Sequence, residues 1–320
     1  MASAIQQLRG LTRGFVGLGE HGDAIGSIAQ QVHDGDTITV RALGNFGIRF
    51  LGIDTPEISF GLPGAPDVFR STGSAPWEEF LSDPFAADVP AFPAPLDAAL
   101  EAHLLARVGP GAATNHRRHA EAAQRALEHM IEQDAQAMGW ADSASVEFFL
   151  AFAREVTDGY GRFLAYVNRN QTDPLDPAPR PLTYNERMLA TGLACPYFIW
   201  PNVNPFRRQG SLLGSVPAPG TANDVAEGDA ALREARAAVR TARANGIGIF
   251  DPADPLRLEP FELRFLARRT PPSRWVIALD RNDVVLLPPE QYLQIPNSED
   301  RLFVPEEYVP LFVERGWRRA

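Results

Sequence analysis

The chain of 320 residues contains no lysine, only one cysteine and no long apolar segment. No apolar run approaches the roughly 20 residues that a membrane-spanning helix needs, so the sequence predicts no membrane partner. The single Cys195 excludes an intrachain disulfide and favours a reducing compartment. The first 20 residues lack a sustained apolar core and a clear cleavage site. The sequence therefore predicts no signal peptide and a cytoplasmic location.

The absence of lysine makes arginine the carrier of all 30 positive charges, within a net charge of −10. This balance opposes capture of a polyphosphate by bulk electrostatics. Residues 61–150 hold 13 acidic residues against five arginines, a local charge of −8, so the rest of the chain is near neutral. Because arginine offers forked donors that match two phosphate oxygens, a local phosphate site is compatible with the composition.

A β-strand pattern with acidic ends fills residues 33–57, which read HDGDTITVRALGNFGIRFLGIDTPE. Alternation over 37–43, a glycine-rich loop at 44–47 and apolar residues over 48–53 predict a β-hairpin. Arg49 and Asp54 are an odd number of residues apart and would face opposite sides of an unbroken strand. The pattern therefore also predicts a backbone turn at glycine 52.

The predicted hairpin places Asp36 opposite Thr55, with Asp54 beside it. Two adjacent carboxylates repel each other unless a cation lies between them, and a hard cation bound by oxygens is the usual partner. The simpler alternative is that DGD and DTP are only turn sequences, since Asp, Gly and Pro commonly end strands. Pairing of the two acidic sequences across a hairpin, with Glu57 nearby, favours the cation site.

Three motifs together resemble the staphylococcal nuclease-like (thermonuclease) family. They are DGDT at 34–37, RFLGIDTPE at 49–57 and YGRFLAY at 160–166, in the family's order. The resemblance covers roughly residues 24–252. It implies an α+β fold built on a five-stranded β-barrel of the OB type with helices packed on it.

The resemblance implies a calcium-dependent nuclease that hydrolyses DNA, RNA or both by metal-assisted attack of water on the phosphodiester. Calcium would be bound by Asp36, Asp54 and the carbonyl of Thr55. Glu57 would position or deprotonate the water, and the guanidinium groups of Arg49 and Arg162 would bind the phosphate. Tyr160 and Tyr197 are predicted to contact the substrate, and Asp34 and Thr37 to support the site.

Two alternatives stay open at this point. Tyr197 follows a predicted helix and either stacks on a base or packs in the core. The whole domain is either a nuclease or a non-catalytic module that binds nucleic acid or protein. Retention of the two aspartates, Glu57 and both arginines favours the nuclease, because a module without catalysis has no chemical need for all five.

The chain is expected to comprise an N-terminal arm (1–23), the nuclease-like domain (24–252) and a small α+β extension (253–320). Residues 60–115 read as an acidic, Pro- and Gly-rich insertion, mostly loop, with short helices near 76–81 and 96–108. This insertion replaces the basic loop of the family and begins beside Glu57. It acts either as a lid that repels duplex DNA or as a tolerated surface loop.

Further elements follow from periodicity. Helices are predicted over 116–138, 184–194 and 223–245, and a hairpin over 145–167. In the extension, 261–268 alternates like a strand, 274–287 reads as a hairpin and 305–315 as a short helix. His116 and His119 lie one turn apart without a nearby carboxylate, which predicts a solvated helix face rather than a metal site.

Overall fold

The computed structural model describes residues 4–8, 11–22, 24–34, 37–170 and 182–320. The chain forms two compact units: 1–50 with 151–165, and 51–150 with 166–320. Helices and strands are mixed, so the α+β class is confirmed. The sheets formed by the described residues have two to four strands and none of them closes, so the predicted five-stranded barrel is not confirmed.

Short strands dominate the first unit. Its elements before residue 51 are β1 Ile5–Leu8, β2 Leu11–Gly14, β3 Val16–Leu18, β4 Glu20–His21, β5 Ala24–Ile25, α1 Ile28–Gln31, β6 Val32–Asp34, β7 Thr37–Ile38, β8 Val40–Ala42 and β9 Ile48–Phe50.

The predicted hairpin between 37–43 and 48–53 is wrong in its pairing. Strand β8 pairs antiparallel with β3, so that Val16 faces Ala42. Strand β7 pairs with β6. Strand β9 instead pairs in parallel with residues 163–165. The alternating pattern identified strands correctly, but their partners lie in segments that carry no matching local signal.

The elements after residue 50 are β10 Gly52–Asp54, β11 Ser59–Leu62, β12 Ala65–Ser71, α2 Ala75–Ser82, α3 Ala98–Leu105, α4 Ala112–Ala137, β13 Phe148–Thr157, β14 Phe163–Arg169, α5 Tyr184–Ala190, β15 Cys195–Ile199, α6 Leu212–Ser215, α7 Ala222–Gly228, α8 Ala230–Ala244, α9 Pro260–Arg268, β16 Trp275–Ala278, β17 Val285–Leu286, β18 Arg301–Val304, α10 Val309–Glu314 and β19 Arg318–Arg319. Strands β13 and β14 contribute residues to both units.

The expectation that residues 60–115 are mostly loop is wrong. The segment contains the β11–β12 hairpin and both short helices, α2 and α3. Trp77, Leu81, Leu100 and Leu104 are fully buried in one hydrophobic core with residues of the C-terminal segment. Burial of each such side chain contributes about 1.5–3 kcal/mol, which stabilises the segment as part of the second unit.

Polar contacts connect the same two segments. His103 of α3 lies 2.8 Å through its Nε2 from Oε1 of Glu262, which is buried in α9. The hydroxyl of Tyr292 donates to the same Oε1 at 2.5 Å. The expected insertion and the expected C-terminal extension therefore share one core.

The C-terminal segment differs from expectation at one element. Residues 261–268 form helix α9, not a strand. The predicted 274–287 hairpin is confirmed by the antiparallel contact between Val276 and Leu287. Strand β18 joins β16 to β15, and β15 pairs with β10, which makes a four-stranded sheet. The C-terminal segment thus shares a sheet with the strand that carries Asp54.

The other predicted helices are present as α4, α5, α7 and α8, and β13 and β14 are adjacent strands as expected. The predicted 223–245 helix is divided at Asp229, whose carboxylate accepts from the backbone N–H of Leu232 and begins a new helix. Within the described ranges, no helix combines the length and apolarity needed to cross a membrane.

Candidate active site

Strand β10 places Asp54 in the interior of the second unit. Gly52, the first residue of β10, has φ +74°, a conformation that favours glycine. This confirms the predicted turn. Strand β10 pairs antiparallel with β15, with Asp54 opposite Cys195. The thiol of Cys195 is buried, and burial raises its pKa well above the ordinary value, so it stays protonated.

The carboxylates of Asp54 and Glu57 meet at one guanidinium group. Arg264 Nη1 donates to Asp54 Oδ1 at 2.9 Å and to Glu57 Oε1 at 2.8 Å, and Nη2 donates to Asp54 Oδ2 at 2.6 Å. The side chain of Asp54 is 1% exposed, that of Arg264 12% and that of Glu57 23%. This is a bidentate, charge-assisted pair with a second carboxylate attached.

Burial opposes the charge of Arg264, but the two carboxylates more than offset that effect. Together they raise the pKa of the guanidinium above its ordinary value, so Arg264 stays charged. Asp54 and Glu57 therefore meet at one cation, whereas the sequence predicts a calcium ion between Asp36 and Asp54. The cation is an arginine of helix α9, which the sequence reading had placed in a strand.

His116 supports the backbone of the same motif. Its Nε2 accepts a hydrogen bond from the backbone N–H of Glu57 at 2.8 Å. The residue is 1% exposed, and burial, followed by the charge of Arg264, lowers the pKa of His116 to about 3. A neutral ring that accepts at Nε2 carries its proton on Nδ1, which has no hydrogen-bond partner among the described residues.

The prediction that His116 and His119 lie on a solvated helix face is wrong, since both are buried. His119 Nε2 lies 3.0 Å from the backbone oxygen of Asp254. The first turns of α4 therefore pack against the motif and against the chain before α9. Neither histidine is part of a metal cluster, and no group of three metal-ligating side chains forms within the described ranges.

The expected calcium ligands are only partly described. Asp36 lies outside the described residues, as does the side chain of Asp34. Thr55 is half-buried and follows Asp54 directly. Carboxylate and carbonyl oxygens at a strand end are the donors that calcium prefers. Both oxygens of Asp54 accept hydrogen bonds from Arg264, so an ion can bind Asp54 only where Arg264 releases the carboxylate.

Arg162 belongs to the first unit and is held by Asp158. Its Nε and Nη2 lie 2.8 and 2.7 Å from Asp158 Oδ2. The other oxygen of Asp158 accepts from the backbone N–H groups of Tyr160 and Arg162 at 2.9 and 3.0 Å. Gly161 has φ +79°, which completes this turn. The guanidinium lies 5.3 Å from the centre of the exposed Tyr160 ring.

Two further predicted residues lie in the first unit. Arg49 is half-buried on β9, opposite Leu164 of β14. Thr37 is exposed on β7. The structure therefore brings Asp54 together with Glu57, and Tyr160 together with Arg162.

Tyr197 lies in the core of the second unit, which answers the open question about its ring. It is 7% exposed and stacks on Phe261 with ring centres 5.5 Å apart and planes 12° apart. Its hydroxyl accepts from Arg274 Nη1 at 3.0 Å. The expected substrate contact through a stacked base is not supported by this burial, and the ring also contacts Phe303 at 4.9 Å between centres.

Sequence reasoning missed Arg264 and His116. The only local signal for α9 was its N-terminus, where Pro260 follows Glu259 and Glu262 completes a capping box. His116 gave no signal of burial, because arginines flank it on one side and a polar residue on the other.

Comparisons of the chain with protein-family models, with curated proteins and with solved structures found no match.

Proposed function

We propose that the protein is a metal-dependent nuclease that hydrolyses the phosphodiester bonds of DNA, RNA or both. The observation that carries this proposal is the convergence of Asp54 and Glu57, the two acids of the DTPE sequence, on one cationic position. The family resemblance of the three motifs supplies the reaction. The OB-type barrel of that family and its calcium ion belong to the same proposal.

The chain's own residues have definable tasks in this reaction. Glu57 is the more accessible of the two acids, and its backbone is fixed by His116. Its carboxylate is suited to accept the proton of an attacking water. The guanidinium groups of Arg49 and Arg162 are suited to neutralise charge that develops on the phosphoryl oxygens. Calcium, when bound, would supply Lewis acidity at the phosphate.

Calcium at Asp54 requires that Arg264 release that carboxylate. This requirement also supports a second candidate function, a non-catalytic module that binds nucleic acid or protein. In such a module the arginine would replace the metal permanently and neutralise the acids without chemistry. The two functions differ in whether added calcium produces hydrolysis.

The test is degradation of heat-denatured DNA and of RNA by the full chain in millimolar calcium, with and without excess chelator. We expect hydrolysis that chelator abolishes and that falls about 100-fold or more in Asp54→Asn and Glu57→Gln. Glu121→Gln, at an exposed acid of α4 paired with Arg117, is the matched control and should retain activity.

Two results would count against the nuclease. Undiminished activity in excess chelator would exclude the metal. Binding of single-stranded nucleic acid without hydrolysis, in calcium and in other divalent ions, would favour the non-catalytic module.

A further inference from the structure

A cleft of about 160 Å³ opens beside helix α9 in the second unit. Three arginines line it: Arg264, Arg268 and Arg274. None of the described residues that line the cleft is acidic. Arg264 is the residue that contacts Asp54 and Glu57, so the cleft begins at the candidate active site.

Aromatic rings hold two of these arginines in place. The guanidinium of Arg274 lies 5.6 Å from the centre of the Tyr197 ring and donates to its hydroxyl at 3.0 Å. The guanidinium of Arg268 lies 5.0 Å from the centre of the Phe60 ring. Cation–π contact positions the guanidinium of Arg274 without neutralising its charge, whereas a carboxylate partner would neutralise it.

Arg274 also has unused donor capacity. It forms no ion pair with any carboxylate in the described ranges, and its buried Nε has no hydrogen-bond partner there. A buried donor without a partner costs free energy, which a bound acceptor would recover. The exposed hydroxyl of Ser273 at the rim adds a further donor.

The charge and size of the cleft define the ligand. Forked guanidinium donors match the oxygens of a phosphate group. A volume of about 160 Å³ gives room for a phosphate group. The Tyr197 ring is 7% exposed and is stacked on Phe261.

We propose that this cleft binds a phosphate group of a nucleic-acid strand, with Arg268 and Arg274 as direct donors. The choice of a nucleic-acid phosphate rests on the proposed function, while the phosphate site itself rests on the cleft. Arg264 joins the cleft to the acidic pair, so the bound phosphate neighbours the reaction centre. Most residues of the site belong to the C-terminal segment, and none belongs to the three sequence motifs. Arg264 connects the site to two motif residues, Asp54 and Glu57.

The test measures binding rather than hydrolysis. A single-stranded oligonucleotide and inorganic phosphate are titrated separately into the full chain by calorimetry, in chelator. We expect Arg268→Gln and Arg274→Gln each to weaken oligonucleotide binding about tenfold. Each should also reduce the slope of log affinity against log salt by about 0.7, the value for one phosphate contact to a single strand. Arg125→Gln, at a 65% exposed arginine of α4, is the matched control and should change neither quantity.

The two ligands separate the sources of the phosphate. A loss of oligonucleotide affinity with little change for inorganic phosphate supports a strand phosphate. An equal loss for both supports a terminal phosphate of the strand. Unchanged affinity and salt slope in both folded variants would overturn the site, and a loss for inorganic phosphate alone would reject the nucleic-acid strand as its ligand. Binding that depends on Arg274 in a protein that never hydrolyses nucleic acid would leave the cleft standing and reject only the nuclease.

Discussion

Replacing Arg264 with leucine should destabilise the protein strongly, because it removes the cation from a buried carboxylate. The Asp54 side chain is 1% exposed and both its oxygens bond to this guanidinium. Breaking a buried ion pair from one side costs about 3–5 kcal/mol. The alternative is protonation of the aspartate, which at pH 7 costs about 4 kcal/mol for an ordinary aspartate. We therefore expect a loss of about 3–4 kcal/mol in the free energy of unfolding.

The assay is urea unfolding at pH 7 of the wild type, Arg264→Leu, Asp54→Asn and the double variant. A carboxamide in place of the carboxylate no longer needs a cation, so the double variant should be more stable than Arg264→Leu alone. The matched control is Arg125→Leu, at an exposed pair that contributes about 0–1 kcal/mol. A loss below about 1 kcal/mol for Arg264→Leu, or additive effects in the double variant, would refute the reasoning.

The Arg264→Leu variant also tests whether calcium competes with Arg264 for the two carboxylates. Without Arg264, the carboxylates of Asp54 and Glu57 lose their resident cation and become available to another. Millimolar calcium should then raise the unfolding midpoint of Arg264→Leu more than that of the wild type, because ligands that bind only the folded state stabilise it. An equal response of both proteins would show that Arg264 and calcium do not compete.

Two further predictions concern stability. The pKa of His116 is lowered to about 3, so between about pH 6.5 and pH 3 the unfolded chain binds a proton that the folded chain does not. The free energy of unfolding should fall as pH falls through this range, by up to about 1.4 kcal/mol per pH unit. Urea unfolding at several pH values should show a weaker dependence of this free energy on pH in His116→Gln. The control His129→Gln, at a 68% exposed histidine, should keep the wild-type dependence. Replacing residues 64–112 with a Gly-Ser linker should abolish cooperative unfolding, because Trp77 and Leu100 of that segment are fully buried core residues; a folded deletion variant would show that the core is not shared.

The elements that the sequence predicted well are those whose signals are local. Helix α4 has apolar positions at helical spacing. The break at Gly52 followed from the spacing of two side chains alone. Asp54 and Glu57 lie close together because only three positions separate them, but the sequence predicted a calcium ion between Asp36 and Asp54, not an arginine between Asp54 and Glu57.

The elements that were missed depend on distant partners. Most residues of helix α9 are buried, and its apolar residues Phe261, Leu263 and Phe265 also satisfy a strand alternation. Strand β8 shows a regular β pattern, but nothing in it specifies β3 as its neighbour. The proline- and glycine-rich composition of 60–115 concealed a few large apolar residues, and these decide its packing. The identity of the cation between Asp54 and Glu57 could not be predicted for the same reason.

The distance along the chain between Asp54 and Arg264 has a consequence for synthesis. The two residues are 210 positions apart, so the DTPE sequence leaves the ribosome long before Arg264 is synthesised. In the four-stranded sheet, Asp54 pairs with Cys195, which is 141 positions later in the chain. Long sequence separation between contacting residues slows folding. The nascent second unit should therefore remain incomplete until nearly all of the polypeptide has emerged, and a chain that terminates before residue 264 should contain the DTPE motif without the arginine that holds it.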